Sequence, residues 1–232
     1  MRRGKVQVVQ VGNFGVDFYG LADDPDVGRQ WPGMPALGIE ENLELAADLI
    51  PQIQEAGARV VGQFSMCWHN ADHETGKGLF GSWDRIWTPE LLGESPADSA
   101  TAANALDATG EQHRRHIEGR PYYVYSGCIS NPVWLQTLKA MVRKGIDLGL
   151  DGFNATHNFE GFCGCGYCAD TIRAHMRPVF DGADLDSLFD GDYDGASDAR
   201  EPTAGALDEL KHRYLAILEQ AAAHRRKNAF DE

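Results

Sequence analysis

Asn131-Pro-Val-Trp-Leu-Gln-Thr-Leu-Lys-Ala-Met-Val-Arg-Lys-Gly-Ile-Asp-Leu-Gly-Leu-Asp-Gly-Phe-Asn-Ala155 reads as a helix, a glycine stop and a strand. Pro132 suits the first turn, where its missing N–H costs no hydrogen bond. Trp134, Leu138, Met141, Val142 and Ile146 recur at helical spacing and form one apolar face. Gly149 ends the helix, and residues 150–155 are the strand it feeds. The same order stands upstream. Residues 40–56 carry a helical pattern in Leu43, Ala46, Ala47, Ile50 and Ile53, Gly57 stops it, and residues 58–66 form a strand. Pro51 is expected to kink that helix. A first strand is expected over residues 5–12, where Val6, Val8 and Val11 stand among polar neighbours.

Strands alternating with helices imply a parallel sheet covered by helices. The expected fold class is therefore α/β, a (β/α)-barrel of TIM type. Eight strands close such a barrel, and the sequence offers three clear ones plus residues 121–125, a strand or a loop edge. The expectation is an N-terminal half-barrel, with a small open sheet as the alternative. Residues 1–180 would form this segment with long loops, 181–202 an Asp-rich loop or linker, and 203–232 a further barrel helix. In that helix Leu207, Leu210, Tyr214, Leu215, Ile217 and Leu218 face a core. Residues 67–120 show little regular pattern apart from an Ala-rich stretch near 97–108 that suggests a short helix. Another helix is expected from about Cys168 to Met176, ahead of Pro178.

The formal charge of −14 opposes binding to a phosphate backbone, so nucleic acid is not an expected partner. No apolar run approaches the roughly 20 residues that a membrane helix needs. The basic start Met1-Arg-Arg-Gly-Lys5 leads into an alternating strand and not into the apolar core of a signal peptide, so the expected location is cytoplasmic.

Three of the five cysteines fall in Cys163-Gly-Cys165-Gly-Tyr-Cys168. In a chain without an export signal, such clustering points to metal rather than to a disulfide framework. Thiolates at this spacing in a Gly-rich turn can converge on one ion, and zinc favours four in a tetrahedron. Cys128 is the first choice for the fourth ligand, with Cys67, His157 and His175 behind it. An iron–sulfur cluster uses the same ligand type, and reduced cysteines packed in a turn would need no ion at all. A closed four-ligand site would be structural. A zinc enzyme would need an open position.

After the second strand come Trp68, His69, Asp72, His73, Trp83 and Trp87. Aromatic faces with polar neighbours suit a sugar pocket, so Trp68, His69 and Trp83 are candidate substrate-binding residues; aromatics packing on the core are the alternative. Asp190, Asp192, Asp194, Asp198 and Glu201, with Gly195 at the turn, match the spacing of a twelve-residue calcium loop. Against it, Ser197 stands where an apolar residue is expected and Pro202 follows at once, and a solvated acidic linker is the favoured alternative there. No dinucleotide fingerprint follows the first strand, because Gly12-Asn-Phe-Gly15 lacks the third glycine and a prompt helix.

Taken together, Asn131-Pro-Val-Trp134, the helix, Gly149-Leu-Asp-Gly152, the strand and the C-x-C-x-x-C array resemble barrel proteins of the glycoside hydrolase superfamily. The resemblance is to hypothetical glycosyl hydrolases and, more distantly, to family 42 β-galactosidases. Gly57-Ala-Arg-Val-Val-Gly-Gln-Phe-Ser65 is similar to their second-strand segment, and the resemblance spans residues 40–176. It implies a carbohydrate substrate or ligand, a zinc-type cysteine cluster after a barrel strand, and sugar-facing residues at that strand's end. An Asn-Glu pair closes this strand in the β-galactosidases; here the positions hold His157 and Asn158, which become substrate-binding candidates. The carboxylate is displaced to Glu160, the catalytic candidate. Glycoside hydrolysis needs two carboxyl groups across the scissile bond. The expected function is thus a glycosidase-like protein that acts on or binds carbohydrate. The alternative is a non-catalytic binding or structural protein that has lost its acid.

Overall fold

A computed structural model describes residues 6–22, 24, 38–107, 109–119, 122–157 and 163–176. The chain runs β1 (Val8–Asn13), α1 (Val16–Leu21), α2 (Ile39–Glu55), β2 (Arg59–Ser65), β3 (Trp68–Ala71), α3 (Leu79–Ile86), a 3-10 turn (Ala100–Ala103), β4 (Arg114–His116), β5 (Tyr123–Ser126), α4 (Pro132–Asp147), β6 (Gly152–Thr156) and α5 (Gly166–Met176). The strands expected around residues 8, 60 and 153 form one parallel sheet in the order β1-β2-β6. Helix α2 runs unbroken through Pro51, which lies on its exposed side. The missing N–H there leaves a carbonyl to water instead of to the core.

The barrel is not what forms. Among the described residues β1 and β6 are the outer strands of an open three-stranded sheet, and nothing closes one onto the other. Residues 122–126 do not join it. They supply β5, the centre of a second, antiparallel sheet of order β3-β5-β4. The stretch expected to be irregular folds back on itself: β3 pairs with β5, β5 with β4, and α3 packs beneath them. A strand that pairs locally in antiparallel fashion cannot also serve as the next parallel stave, and this removes the fourth barrel strand. Near 97–108, only the 3-10 turn over Ala100–Ala103 is helical.

Two apolar clusters hold the fold. One joins Ile50, Ile53, Val60, Phe14 and Leu150 between α2 and the parallel sheet. The larger joins α1, α3 and α4 to β2 through Tyr19, Phe64, Leu79, Trp83, Ile86, Trp134 and Leu138. Trp134 is fully buried and donates from Nε1 to the Met66 carbonyl at 2.7 Å, fixing α4 to the end of β2. Buried Asp17 clamps α1 to β3 by accepting from the Asn70 backbone (2.6 Å) and side-chain (2.7 Å) nitrogens.

At the start of the β2–β6 pair, Asp151 accepts from the Val60 backbone N–H at 2.8 Å, from Arg59 at 2.7 Å and from Gln54 at 3.1 Å. Those bonds, the Val60 amide first and then Arg59, pull its carboxyl down to about 2. A depressed carboxylate stabilises the fold above its unfolded pKa near 4 and loses that contribution as pH falls through the folded value. Asp151→Asn should therefore lower the melting temperature at pH 7, with the gap from wild type narrowing from pH 4 towards pH 2. Melting curves across that range check it; a constant gap would refute the linkage.

Candidate metal centre and strand-end surface

Three chain segments meet at one group of sulfurs. Cys128 follows β5, Cys163 and Cys165 follow β6, and Cys168 lies in the first turn of α5. All four are buried, unbridged by disulfides, and their Sγ atoms lie within 4.8 Å of one another. Cys128 Sγ stands 3.6 Å from Cys165 Sγ and 3.4 Å from Cys168 Sγ. Metal–sulfur bonds of about 2.3 Å in a tetrahedron give edges of about 3.8 Å, close to both of these distances, so one ion at the centre needs only a small adjustment. Several irons could not lie between sulfurs this close. The cluster can therefore bind a single metal ion, and Cys128, the expected fourth ligand, belongs to it. Cys67 lies outside the four.

The backbone explains the convergence. Gly164 N–H donates to the Leu106 carbonyl at 2.9 Å, and Leu106 N–H donates to Cys163 Sγ at 3.4 Å. A Cβ on Gly164 would come within 2.6 Å of the Asp107 carbonyl oxygen, so only glycine permits that approach. Gly166 faces open space, and its role is limited to starting the helix. Cys168 and Ala169 N–H both donate to the Cys165 carbonyl, closing the turn. Without metal, the thiols share protons unequally. Hydrogen bonds from Cys128, Cys163 and Cys165 hold Cys168 well below the ordinary thiol range. The bond with Cys163, followed by those with Cys165 and Cys168, pushes Cys128 up. A group that already favours a thiolate needs fewer protons removed when a cation enters.

The aromatic candidates fare differently. His69 is fully buried. Burial lowers its pKa to about 4 against the opposing effect of Asn104, so it is neutral. Its Nε2 lies 2.8 Å from Asn104 Oδ1, an atom that only accepts, so Nε2 carries the proton. Trp83 is buried and donates to the Ala97 carbonyl at 2.9 Å. Both side chains are parts of the core, out of reach of a ligand. Trp68 has Arg115 3.8 Å over its ring and the His157 ring stacked at 4.0 Å. Two groups this near the same ring centre must occupy opposite faces, so neither face is open to a sugar. Here the alternative holds, aromatics packing on protein. His157 is exposed and has a left-handed backbone (φ 51°), unusual for a residue other than glycine. It follows directly on β6 and latches the parallel sheet to β3 and β4 through that stack. His69, Asp72 and His73 do not converge on a second metal position among the described residues. Asn158, Glu160 and the 190–201 acidic stretch proposed for calcium lie outside the described residues, as does the helix expected over 203–232.

Sequence reading missed a polar row on the parallel sheet. Gln10 donates to Gln63 at 2.8 Å and accepts from Asn154 at 2.8 Å, linking all three strands on the face away from α2. Alternation along 59–65 and 152–156 is the signal that could have found it. Beyond the row, β1, β2 and β6 end in Asn13, Ser65 and Thr156.

No helix among the described residues is long and apolar enough to cross a membrane. No family model matches this chain, and no curated protein matches it.

Proposed function

We propose that this chain is a carbohydrate-binding domain related to the glycoside hydrolases it resembles, built around one structural zinc ion. The observation that carries the reading is the convergence of Cys128, after β5, with Cys163, Cys165 and Cys168, which follow β6. Four thiolates close the coordination sphere, so zinc there would fix the loop and do no chemistry of its own. Ligands of open parallel sheets bind beyond the carboxyl ends of the strands. Here that end leads from the Gln10–Gln63–Asn154 row to Thr156 and exposed His157. Amides and hydroxyls both donate and accept, as sugar hydroxyls require. Reduced thiols suit a cytoplasmic setting.

Binding is favoured over hydrolysis because the residues that end the three strands include no acid. Glu160 is the one carboxylate proposed for this rim, and hydrolysis needs two. The test combines metal analysis with calorimetric titration of neutral oligosaccharides. We expect one zinc per chain, saturable sugar binding, and about tenfold weaker binding in Asn154→Ala. Aryl glycosides should not be cleaved. Cleavage abolished by Glu160→Gln would convert the reading to a glycosidase, and absence of any sugar binding would refute it.

A further inference from the structure

We infer that the recess beside β3, β4 and β5 is a second binding site, selective for a polyhydroxyl ring without an acidic group, such as a single sugar unit. It shares the ligand class of the reading above but none of its residues, so either can fail alone. The recess encloses about 350 Å³ between the strand pair and the turn at residues 107–112, at the lower end of the range for small-molecule pockets.

Its polar groups are set in direction by the protein beneath them. Tyr125 is buried, and its phenol oxygen accepts from Arg114 Nη1 at 3.1 Å and from the His73 backbone N–H at 3.4 Å. With both lone pairs taken, the phenol proton is what remains, and no described residue accepts it. Tyr125 lines the recess, so that proton is offered to a ligand oxygen.

A second donor is fixed from the core. Neutral His69 donates to Asn104 Oδ1, and Asn104 Nδ2 donates to Gln112 Oε1 at 2.6 Å. This chain occupies the carbonyl side of Gln112 and turns its Nε2 hydrogens away, with Gln112 itself on the recess wall. Buried His69, which has no route to a ligand of its own, acts here as a positioning residue.

Acceptors face these donors. Glu111 lines the wall with an exposed carboxylate, and Glu74 pairs with Arg114 at 3.5 Å. Asp107 accepts from Thr109 and from the Glu111 backbone, which holds its carboxylate ionised and its turn closed. Three carboxylates against one guanidinium repel an anion. Fixed N–H and O–H donors oppose a bare metal cation, whereas an ammonium, itself a donor, is drawn to the carboxylates. A hydroxyl satisfies both sets at once, because it gives and accepts a hydrogen bond at the same atom.

The experiment uses the full zinc-loaded chain and three probes: methyl glucoside, glucuronate and glucosamine. Side-chain amide resonances of Gln112 are followed by NMR during titration. Methyl glucoside should shift them saturably, with glucuronate at least tenfold weaker and glucosamine bound no more weakly than the neutral probe. Tyr125→Phe should weaken the neutral probe about tenfold, and Asn154→Ala should leave this titration unchanged. Should Tyr125→Phe fold poorly, Glu111→Gln, an exposed change, should weaken binding several-fold on its own. The inference is overturned by an unmoved Gln112 resonance, by wild-type affinity in a folded Tyr125→Phe or in Glu111→Gln, or by a preference for glucuronate.

Discussion

Cys168→Ser is expected to abolish stoichiometric metal binding and to lower the melting temperature by about 10–20 °C. Structural zinc releases about 10–16 kcal/mol in small peptides that are unfolded without it. Here two apolar clusters hold the fold apart from the ion, so a share on the order of 5 kcal/mol is expected, and a chain of this size loses about 2–4 °C per kcal/mol. Cys168 is chosen because its sulfur lies 3.4 Å from Cys128 Sγ within the cluster and because it sits in the first turn of α5, so its loss frees a helix as well as a ligand. A chelator should produce the same shift in the wild type and none in the variant. Melting curves paired with metal analysis decide the matter. Equal melting temperatures with and without chelator, in protein shown to have bound metal, would remove the structural role.

Gly127→Ala should cost about 3 kcal/mol, at the upper end of what overpacking produces in a core. A Cβ at this position would overlap the indole of Trp134. The ring has nowhere to go, since it is fully buried and tied to the Met66 carbonyl. The backbone is held as well, by the Gly127 N–H bond to the Cys67 carbonyl at 2.6 Å. Trp134→Leu removes the obstacle at its own cost, so the double variant should be less destabilised than the two single changes added together. Denaturant unfolding of the four proteins measures this directly. Strict additivity would mean that the ring is not what the new methyl group meets.

Legibility in the sequence followed the length and pattern of each element. The parallel strands and α2 and α4 could be read because each helix carries an apolar stripe and ends at a glycine, Gly57 or Gly149, with positive φ. The antiparallel sheet could not, because β3 and β4 are four and three residues long, too short for alternation to show. Helix α3 did leave a trace, in Leu79, Trp83 and Ile86 at one-turn and two-turn spacing. The cysteine site was legible down to its fourth ligand, since clustered thiols without a disulfide partner have few other uses. The aromatic candidates misled for a physical reason: Trp and His serve a core as well as a pocket, and only their surroundings tell which. His69 lies among Phe80, Tyr125 and Trp134, neighbours that come together only when distant strands pair.

The separation of the thiols along the chain has a kinetic and entropic side. Cys128 and Cys168 are 40 residues apart, and the whole of α4 and β6 lies between them. An ion held by both acts as a cross-link that cannot be completed until that helix and strand have docked. Tying the ends of a segment this long removes about 4 kcal/mol of disorder from the unfolded chain by the loop-closure relation. The ion would then act as a late clasp, slowing escape from the native state more than it hastens arrival.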